Sequence, residues 1–106
     1  MQSIHPAIAA FKRIFPQSTA ARLHLQTGAS LSFCDKVLSG AKQPGAPMLE
    51  ALLRSDVGKD VLIAVMGAAK PAWWVGYRRH LELSELVKAE SHLRKQIEAM
   101  QRDIAD

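Results

Sequence analysis

Proline and glycine interrupt the first two thirds of the chain at short intervals. One run of apolar residues ends and another begins at Pro16, Gly28, Gly40, the Pro44-Gly45 pair and Gly67. Since both residue types are unfavourable inside helices, the elements between them are only a few turns long. No segment alternates apolar and polar residues for long enough to predict a strand. The pattern therefore predicts an all-α fold built from short helices.

Between these breaks, the apolar residues recur at the spacing of a helix face. Five short helices are expected, over residues 3–15, 18–26, 30–40, 47–54 and 56–67. Ser3, Ser30 and Asp56 stand at the N-cap positions of the first, third and fifth helices, where a side-chain oxygen accepts from a free amide. Either Ser18 or Thr19 caps the second helix. The apolar face of the first helix is expected to consist of Ile8, Phe11, Ile14 and Phe15.

A different pattern distinguishes residues 69–106 from residues 1–68. Trp73, Trp74 and Tyr77 cluster near its start, and no proline or glycine follows Gly76, so one long C-terminal helix is expected. Its apolar residues recur as in a coiled-coil seam, with Glu90 as the one polar interruption. This seam consists of Leu83, Leu86, Leu93, Ile97, Met100 and Ile104. Either the seam pairs with a second copy to form a homodimer, or it folds back on the preceding helices.

Positive charge is concentrated near the N-terminus. The chain has a net charge of +4, and beyond residue 45 acidic and basic residues balance. Within residues 1–45, a single acidic residue, Asp35, stands against Lys12, Arg13, Arg22, Lys36 and Lys42. Such a field suits a polyanion, because neutralising phosphates releases their condensed counterions. An imbalance of this size is also ordinary for soluble proteins, so it requires support from a motif.

Other residue patterns argue against several classes of protein. Cys34 is the only cysteine, and the four histidines share no metal-ligand spacing with each other or with it. No set of nucleophile, base and orienting group is apparent, nor is a glycine loop for phosphate. No apolar run is long enough to span a bilayer, and the N-terminus lacks the apolar run of a secretory signal. We therefore expect a cytoplasmic protein without membrane attachment, cofactor, metal ion or enzymatic activity.

Two of the expected helices have the layout of a helix-turn-helix. Residues 19–26 and 30–40 flank a turn at residues 27–29, and Leu23 is expected to face Cys34 and Val37. In such a motif, the first helix holds the second across the major groove of DNA. Residues 23–30 (LHLQTGAS) and 37–44 (VLSGAKQP) resemble the corresponding stretches of the lambda-repressor-like, or XRE, family. The resemblance covers about residues 17–66.

One residue departs from the family pattern. The family usually has a small residue after the leucine that corresponds to Leu23, because the two helices approach closely there. This chain has His24 instead. The departure implies either that the helices are slightly spread or that the imidazole lies to the side.

The family resemblance also implies which residues contact DNA. The start of the third helix faces base edges, and the following loop contacts the backbone. Ser30 offers its hydroxyl or the helix N-terminus to a phosphate, unless it is only a helix cap. Ser32 pairs with a base, and Leu31 touches a thymine methyl. The further candidates, each with an ordinary solvated side chain as the alternative, are Arg22, Asp35, Lys36, Lys42 and Gln43.

The function that the resemblance implies is transcriptional regulation. Residues 1–68 would be a five-helix lambda-repressor-like domain that binds double-stranded operator DNA, and residues 69–106 a dimerisation helix. A homodimeric repressor of a bacterium or its phage fits this organisation, since two-fold pairing lets two domains read two half-sites. The alternative is a protein-binding adaptor or inhibitor that uses the C-terminal helix. In that case Trp73, Trp74 and Tyr77 anchor a partner; otherwise they form a packing joint between domain and helix.

Overall fold

The first helix begins beside an imidazole rather than a hydroxyl. In the computed structural model, which describes residues 3–105, helix α1 covers Pro6–Ile14. His5 Nδ1 accepts a hydrogen bond from the Ala7 amide at 3.1 Å. Pro6 occupies the first helical position, where its missing N–H would have no partner within the helix. The prediction that Ser3 caps this helix is therefore wrong.

Six helices follow one another along the chain, and residues 3–105 contain no strand. The all-α prediction, with a long helix at the C-terminal end, is confirmed. By residue contacts the chain divides between Ala68 and Ala69 into one compact unit with five helices and another with the sixth. The helices after α1 are α2 (Thr19–Thr27), α3 (Leu31–Ser39), α4 (Ala46–Leu53), α5 (Gly58–Met66) and α6 (Ala72–Ala105).

A side-chain hydroxyl at the start of helix α2 donates a hydrogen bond to the end of the preceding helix. Ser18 stands at the N-cap with φ 54° and makes no side-chain cap. The Thr19 hydroxyl instead donates to the Phe15 carbonyl at 2.5 Å. This hydrogen bond joins the end of α1 to the start of α2, so neither residue acts as the expected N-cap acceptor.

The turn before α5 also differs from the expected one. Val57, not Asp56, stands at the N-cap of α5. The Ser55 hydroxyl accepts from the Val57 amide at 3.3 Å and donates to the Leu52 carbonyl at 2.6 Å. A serine therefore stabilises this turn where the sequence favoured an aspartate cap, and the prediction for Asp56 is wrong.

The core of the five-helix unit takes residues from every one of its helices. Helix α1 packs against α5, α3 and α2, and α2 packs against α3 and α4. Each large apolar side chain buried in this way contributes about 1.5–3 kcal/mol, so the stability of these short helices comes from mutual packing. The buried cluster consists of Ala7, Ile8, Phe11, Leu23, Cys34, Val37, Met48, Leu52 and Val61.

Cys34 behaves as an apolar member of this core. Its side chain is fully buried, and Sγ lies 3.8 Å from the Ala29 carbonyl oxygen. Burial, followed by the neighbouring Asp35 carboxylate, raises the pKa of the Cys34 thiol. The reactive thiolate is therefore disfavoured at neutral pH.

Ion pairs between exposed side chains contribute to the stability of helix α6. Its 34 residues extend over about 51 Å at the usual helical rise. Arg78 and Glu82 form an exposed ion pair at 3.3 Å, and Glu90 pairs with Arg94 one turn apart. Such pairs contribute only about 0.2–0.5 kcal/mol each.

Among residues 3–105, no helix combines the length and the apolar character needed to cross a lipid bilayer.

Gly58 marks a close approach between the end of α4 and the start of α5. It is the first residue of α5 and is buried. A Cβ atom at this position would lie 2.0 Å from the Leu53 carbonyl oxygen, at the end of α4. Because the obstacle is backbone, a side chain here requires α4 and α5 to separate.

The Gly58→Ala variant should therefore lose about 2 kcal/mol or more of unfolding free energy, as expected for overpacking against a rigid neighbour. Gly76→Ala is the matched control, since Gly76 lies inside α6 and a Cβ atom there would meet no neighbouring group within 4 Å. Alanine there should stabilise the helix by about 0.5–1 kcal/mol. Urea denaturation followed by circular dichroism measures both, and equal midpoints for Gly58→Ala and wild type would refute the close approach.

Candidate nucleic-acid interface

A three-residue turn connects α2 to α3. Gly28 follows α2 in the left-handed region at φ 77°, and its amide donates to the His24 carbonyl at 2.8 Å. A residue with a Cβ atom is strained by about 1–2 kcal/mol in this conformation, which explains the glycine. Ala29 and Ser30 complete the turn, and α3 begins at Leu31.

Side chains from both helices hold the backbone of Ala29. Its amide donates to the Thr27 hydroxyl at 3.3 Å, and that hydroxyl donates to the Leu23 carbonyl at 2.7 Å. The Ala29 carbonyl oxygen lies 2.6 Å from His24 Nδ1 and 3.8 Å from Cys34 Sγ. These contacts fix the turn from α2 on one side and from α3 on the other.

His24 has a definite position in this arrangement. Because a carbonyl oxygen only accepts, Nδ1 must carry the proton in its hydrogen bond to Ala29. The half-buried imidazole thus reaches the backbone of the turn. Of the two alternatives that the family resemblance left open, the structure contains the sideways imidazole.

Helix α3 has one packed face and one exposed face. Cys34 and Val37 are buried and Phe33 and Leu38 half-buried on the packed side. The opposite side carries residues at spacings of one, four, five and eight from the first, which form a single stripe along the helix. This exposed stripe consists of Leu31, Ser32, Asp35, Lys36 and Ser39.

Leu31 and Ser32 stand at the start of the exposed stripe. Leu31 is 51% exposed. Ser32 is exposed as well and lies on the same side of the first turn. The methyl groups of Leu31 and the hydroxyl of Ser32 are thus both accessible at the N-terminal end of α3.

Ser30 caps the N-terminus of α3, which is the structural alternative to a phosphate contact. Its Oγ accepts from the Phe33 amide at 3.1 Å, and its carbonyl accepts from the Cys34 amide at 2.9 Å. Ser30 is therefore the N-cap of α3, as predicted. The hydroxyl proton is not consumed by this contact, because the cap uses the oxygen as an acceptor.

The loop after α3 folds back over the end of the helix. Gly40 follows α3 at φ 86°, and its amide donates to the Val37 carbonyl at 3.3 Å. The Lys42 amide donates to the Lys36 carbonyl at 3.2 Å, which fixes the backbone of Lys42 while its side chain is exposed. Both lysines lie near the C-terminal end of α3, where the helix dipole also favours a cation.

Gln43 lies in the same loop, and its side chain hydrogen-bonds to another part of the chain. Its Nε2 donates to the Ser3 carbonyl at 3.3 Å, across 40 positions of sequence. Because a side-chain amide carries two N–H donors and a carbonyl oxygen, this contact uses only part of its capacity. Gln43 thus ties the loop to the segment before α1 and remains exposed.

Arg22 lies on the exposed side of α2, away from the turn. Its guanidinium carbon stands over the Phe15 ring, 4.9 Å from the ring centroid. The sequence placed Phe15 only on the apolar face of α1. No regular spacing links an aromatic residue at the end of one helix to an arginine in the next, so this pair required the three-dimensional structure.

The apolar stripe of α6 faces solvent. Each of its six residues is more than half exposed: Leu83, Leu86, Leu93, Ile97, Met100 and Ile104. At the start of α6, the rings of Trp73 and Trp74 lie 6.1 Å apart and those of Trp74 and Tyr77 6.2 Å apart. Trp73 and Tyr77 remain exposed, so this cluster presents aromatic surface as well.

The described residues contain no group of three histidine, cysteine or acidic side chains close enough to hold a metal ion. Comparison with known proteins adds no family to these observations. No protein-family model, curated protein or solved structure matches the chain.

Proposed function

We propose that this chain is a sequence-specific DNA-binding transcriptional regulator of the XRE type. The observation that carries the proposal is the exposed stripe of α3, which begins beside a tightly hydrogen-bonded three-residue turn. A helix that enters the major groove needs one exposed face of short and polar side chains and a rigid support behind it. Helix α3 meets both requirements.

The chemistry of the stripe fits base edges. Ser32 both donates and accepts, and the Leu31 methyl groups match the C5-methyl group of thymine. Lys36 donates to the acceptors of guanine, and Asp35 accepts from the amino group of cytosine. A carboxylate in this position also repels phosphates, so Asp35 favours docking in which a base, rather than the backbone, lies opposite it.

Four further residues fit contacts with the sugar-phosphate backbone. Lys42 projects from a loop whose backbone is held against the end of α3, and Gln43 lies beside it. Arg22, on α2, supplies a cation in addition to Lys42. The Ser30 hydroxyl lies at the N-terminus of α3, where amides favour an anion. Together these four groups would contact the backbone and determine register rather than sequence.

Pairing through α6 would make the regulator a homodimer. The six apolar residues of its stripe are exposed in one chain, and a second copy offers the same surface in return. One short helix reads too few base pairs for high specificity, whereas two copies on a two-fold operator read twice as many. We assign such a dimer to the cytoplasm of a bacterium, as a bacterial or phage repressor without catalytic activity.

If α3 contacts base edges, substitution of Ser32 should change the preference among DNA sequences, whereas substitution of Lys42 should change the affinity for all sequences. Ser32→Ala should change the preference among operator variants by about 1 kcal/mol or more at one base pair, as one lost base contact does. Lys42→Ala should weaken binding to all sequences and make the salt slope shallower by about one unit. Fluorescence anisotropy on a selected operator and its single-base variants, over a salt series, measures both effects.

Two controls sharpen this comparison. Ser30→Ala removes the N-cap together with a proposed phosphate contact, so it is expected to destabilise α3 by about 1 kcal/mol and to weaken binding to all sequences without the change in preference at one base pair expected for Ser32→Ala. Lys88→Ala removes the same charge from the middle of α6 and should leave both the affinity for DNA and the salt slope close to those of wild type. If the Ser32 and Lys42 variants stay folded and bind like wild type, α3 is not the reading helix.

Substitutions in the stripe of α6 should alter self-association in opposite directions. Glu90→Leu completes the apolar stripe and should lower the dimer dissociation constant about tenfold or more, since each buried leucine contributes over 1 kcal/mol. Leu93→Gln removes one layer and should raise it by a similar factor. Sedimentation equilibrium over a concentration series measures both constants.

Glu98→Leu provides the matched control for Glu90→Leu, because it makes the same change eight residues further on and outside the stripe. It should leave the dissociation constant close to that of wild type. Similar constants for all four proteins would mean that α6 does not hold two copies together.

A protein-binding adaptor is the second candidate function. Trp73 is 63% exposed and Leu25, on α2, is 82% exposed, which is more apolar surface than a DNA-reading role requires. Selection from randomised duplex DNA distinguishes the two functions. Enrichment of one sequence supports the regulator, whereas a folded chain that enriches none supports the adaptor.

A further inference from the structure

Arg22 faces solvent, yet an aromatic ring from another helix holds its guanidinium group. The distance of 4.9 Å from Cζ to the centroid of Phe15 is well within the range of a cation–π contact. An exposed arginine ordinarily samples many rotamers, and selecting one of them costs side-chain entropy. The ring offsets part of that cost before any partner arrives.

The Phe15 ring is itself fixed by the fold. Phe15 follows α1, its amide donates to the Phe11 carbonyl at 2.9 Å, and its own carbonyl accepts from the Thr19 hydroxyl. Its ring centroid lies 4.9 Å from that of Phe11, which is buried in the core. The support beneath Arg22 is thus continuous with the core of the five-helix unit.

The cation–π contact leaves the donors of the guanidinium unused. A guanidinium carries five N–H donors, and its attraction to a ring face depends on charge rather than on hydrogen bonding. Within residues 3–105, the Arg22 side chain takes part in no ion pair or hydrogen bond. The planar set of donors matches two oxygens of a phosphate, which a lysine cannot match.

We propose that Phe15 is a positioning residue that holds Arg22 ready to bind a backbone phosphate of duplex DNA. This inference rests on the DNA-binding function proposed above and assigns a role to a residue outside the expected interface. A phosphate is the favoured partner because Arg22 lies in the segment, residues 1–45, that holds five basic residues and one acidic residue. Phe15 acts only through Arg22 and does not touch the DNA.

A double-mutant cycle on the full chain tests this role. The affinity for a fluorescein-labelled duplex of mixed sequence is measured at low salt, where phosphate contacts dominate binding. Phe15→Leu should weaken binding about two- to fivefold, the range of an exposed cation–π contact. The same change should have no effect in a chain that already carries Arg22→Gln. Phe15→Tyr keeps the ring and should bind like wild type.

Arg22→Gln gives an independent result, because the side chain is exposed and its loss does not disturb the core. It should weaken binding and make the salt slope shallower by about one unit. Arg22→Lys should keep the slope but bind more weakly than wild type, since a lysine lacks the planar donors. Wild-type affinity and slope in Arg22→Gln would overturn the proposal even if Phe15→Leu failed to fold.

A purely structural role for Phe15 predicts a different pattern. In that case Phe15→Leu lowers the melting temperature and weakens binding equally with and without Arg22, which would overturn the positioning role. Wild-type binding by Arg22→Gln, or equal weakening by Phe15→Leu with and without Arg22, would overturn only the positioning role. DNA binding itself would stand in both cases, since wild type still binds the duplex. A folded wild-type chain that binds no duplex would overturn the proposed function and this inference together.

Discussion

The backbone of Ala29 is the point on which the geometry of α2 and α3 depends. Its carbonyl oxygen meets groups from both helices, His24 Nδ1 and Cys34 Sγ, while its amide donates to Thr27. An unpartnered buried carbonyl or amide costs about 1–3 kcal/mol, so any other relative placement of the helices would sacrifice several contacts at once. The direction in which the exposed stripe of α3 points is set by these few hydrogen bonds.

The parts of the fold that local chemistry decides could be predicted from the sequence. Gly28, Gly40 and Gly67 end their helices at positive φ, where a Cβ atom is unfavourable, and their identity alone indicates those ends. Ser30 caps α3 because its oxygen needs only the amide three residues ahead. The exposed face of α3 follows from the helical period, and the stripe of α6 from its own spacing.

Contacts across the breaks between consecutive helices account for features that the sequence pattern did not reveal. Gly58 begins α5 because the Leu53 carbonyl leaves no space for a side chain, and nothing in the local sequence identifies that neighbour. His24 departs from the pattern of the family that the chain resembles, yet it supplies a hydrogen bond that a small residue could not. The contact between Phe15 and Arg22 likewise joins two helices across a break, where no sequence period applies.

The hydrogen bond from Gln43 to the Ser3 carbonyl has a practical consequence for handling this protein. It ties the segment before α1 to the loop that carries Lys42, so residues 40 positions apart in sequence meet at the candidate interface. A purification tag fused ahead of Ser3 would begin beside this loop, and a polyhistidine tag would bring its own imidazoles to the candidate interface. A tag placed after α6, or removed by protease before binding is measured, keeps that surface free of foreign charge.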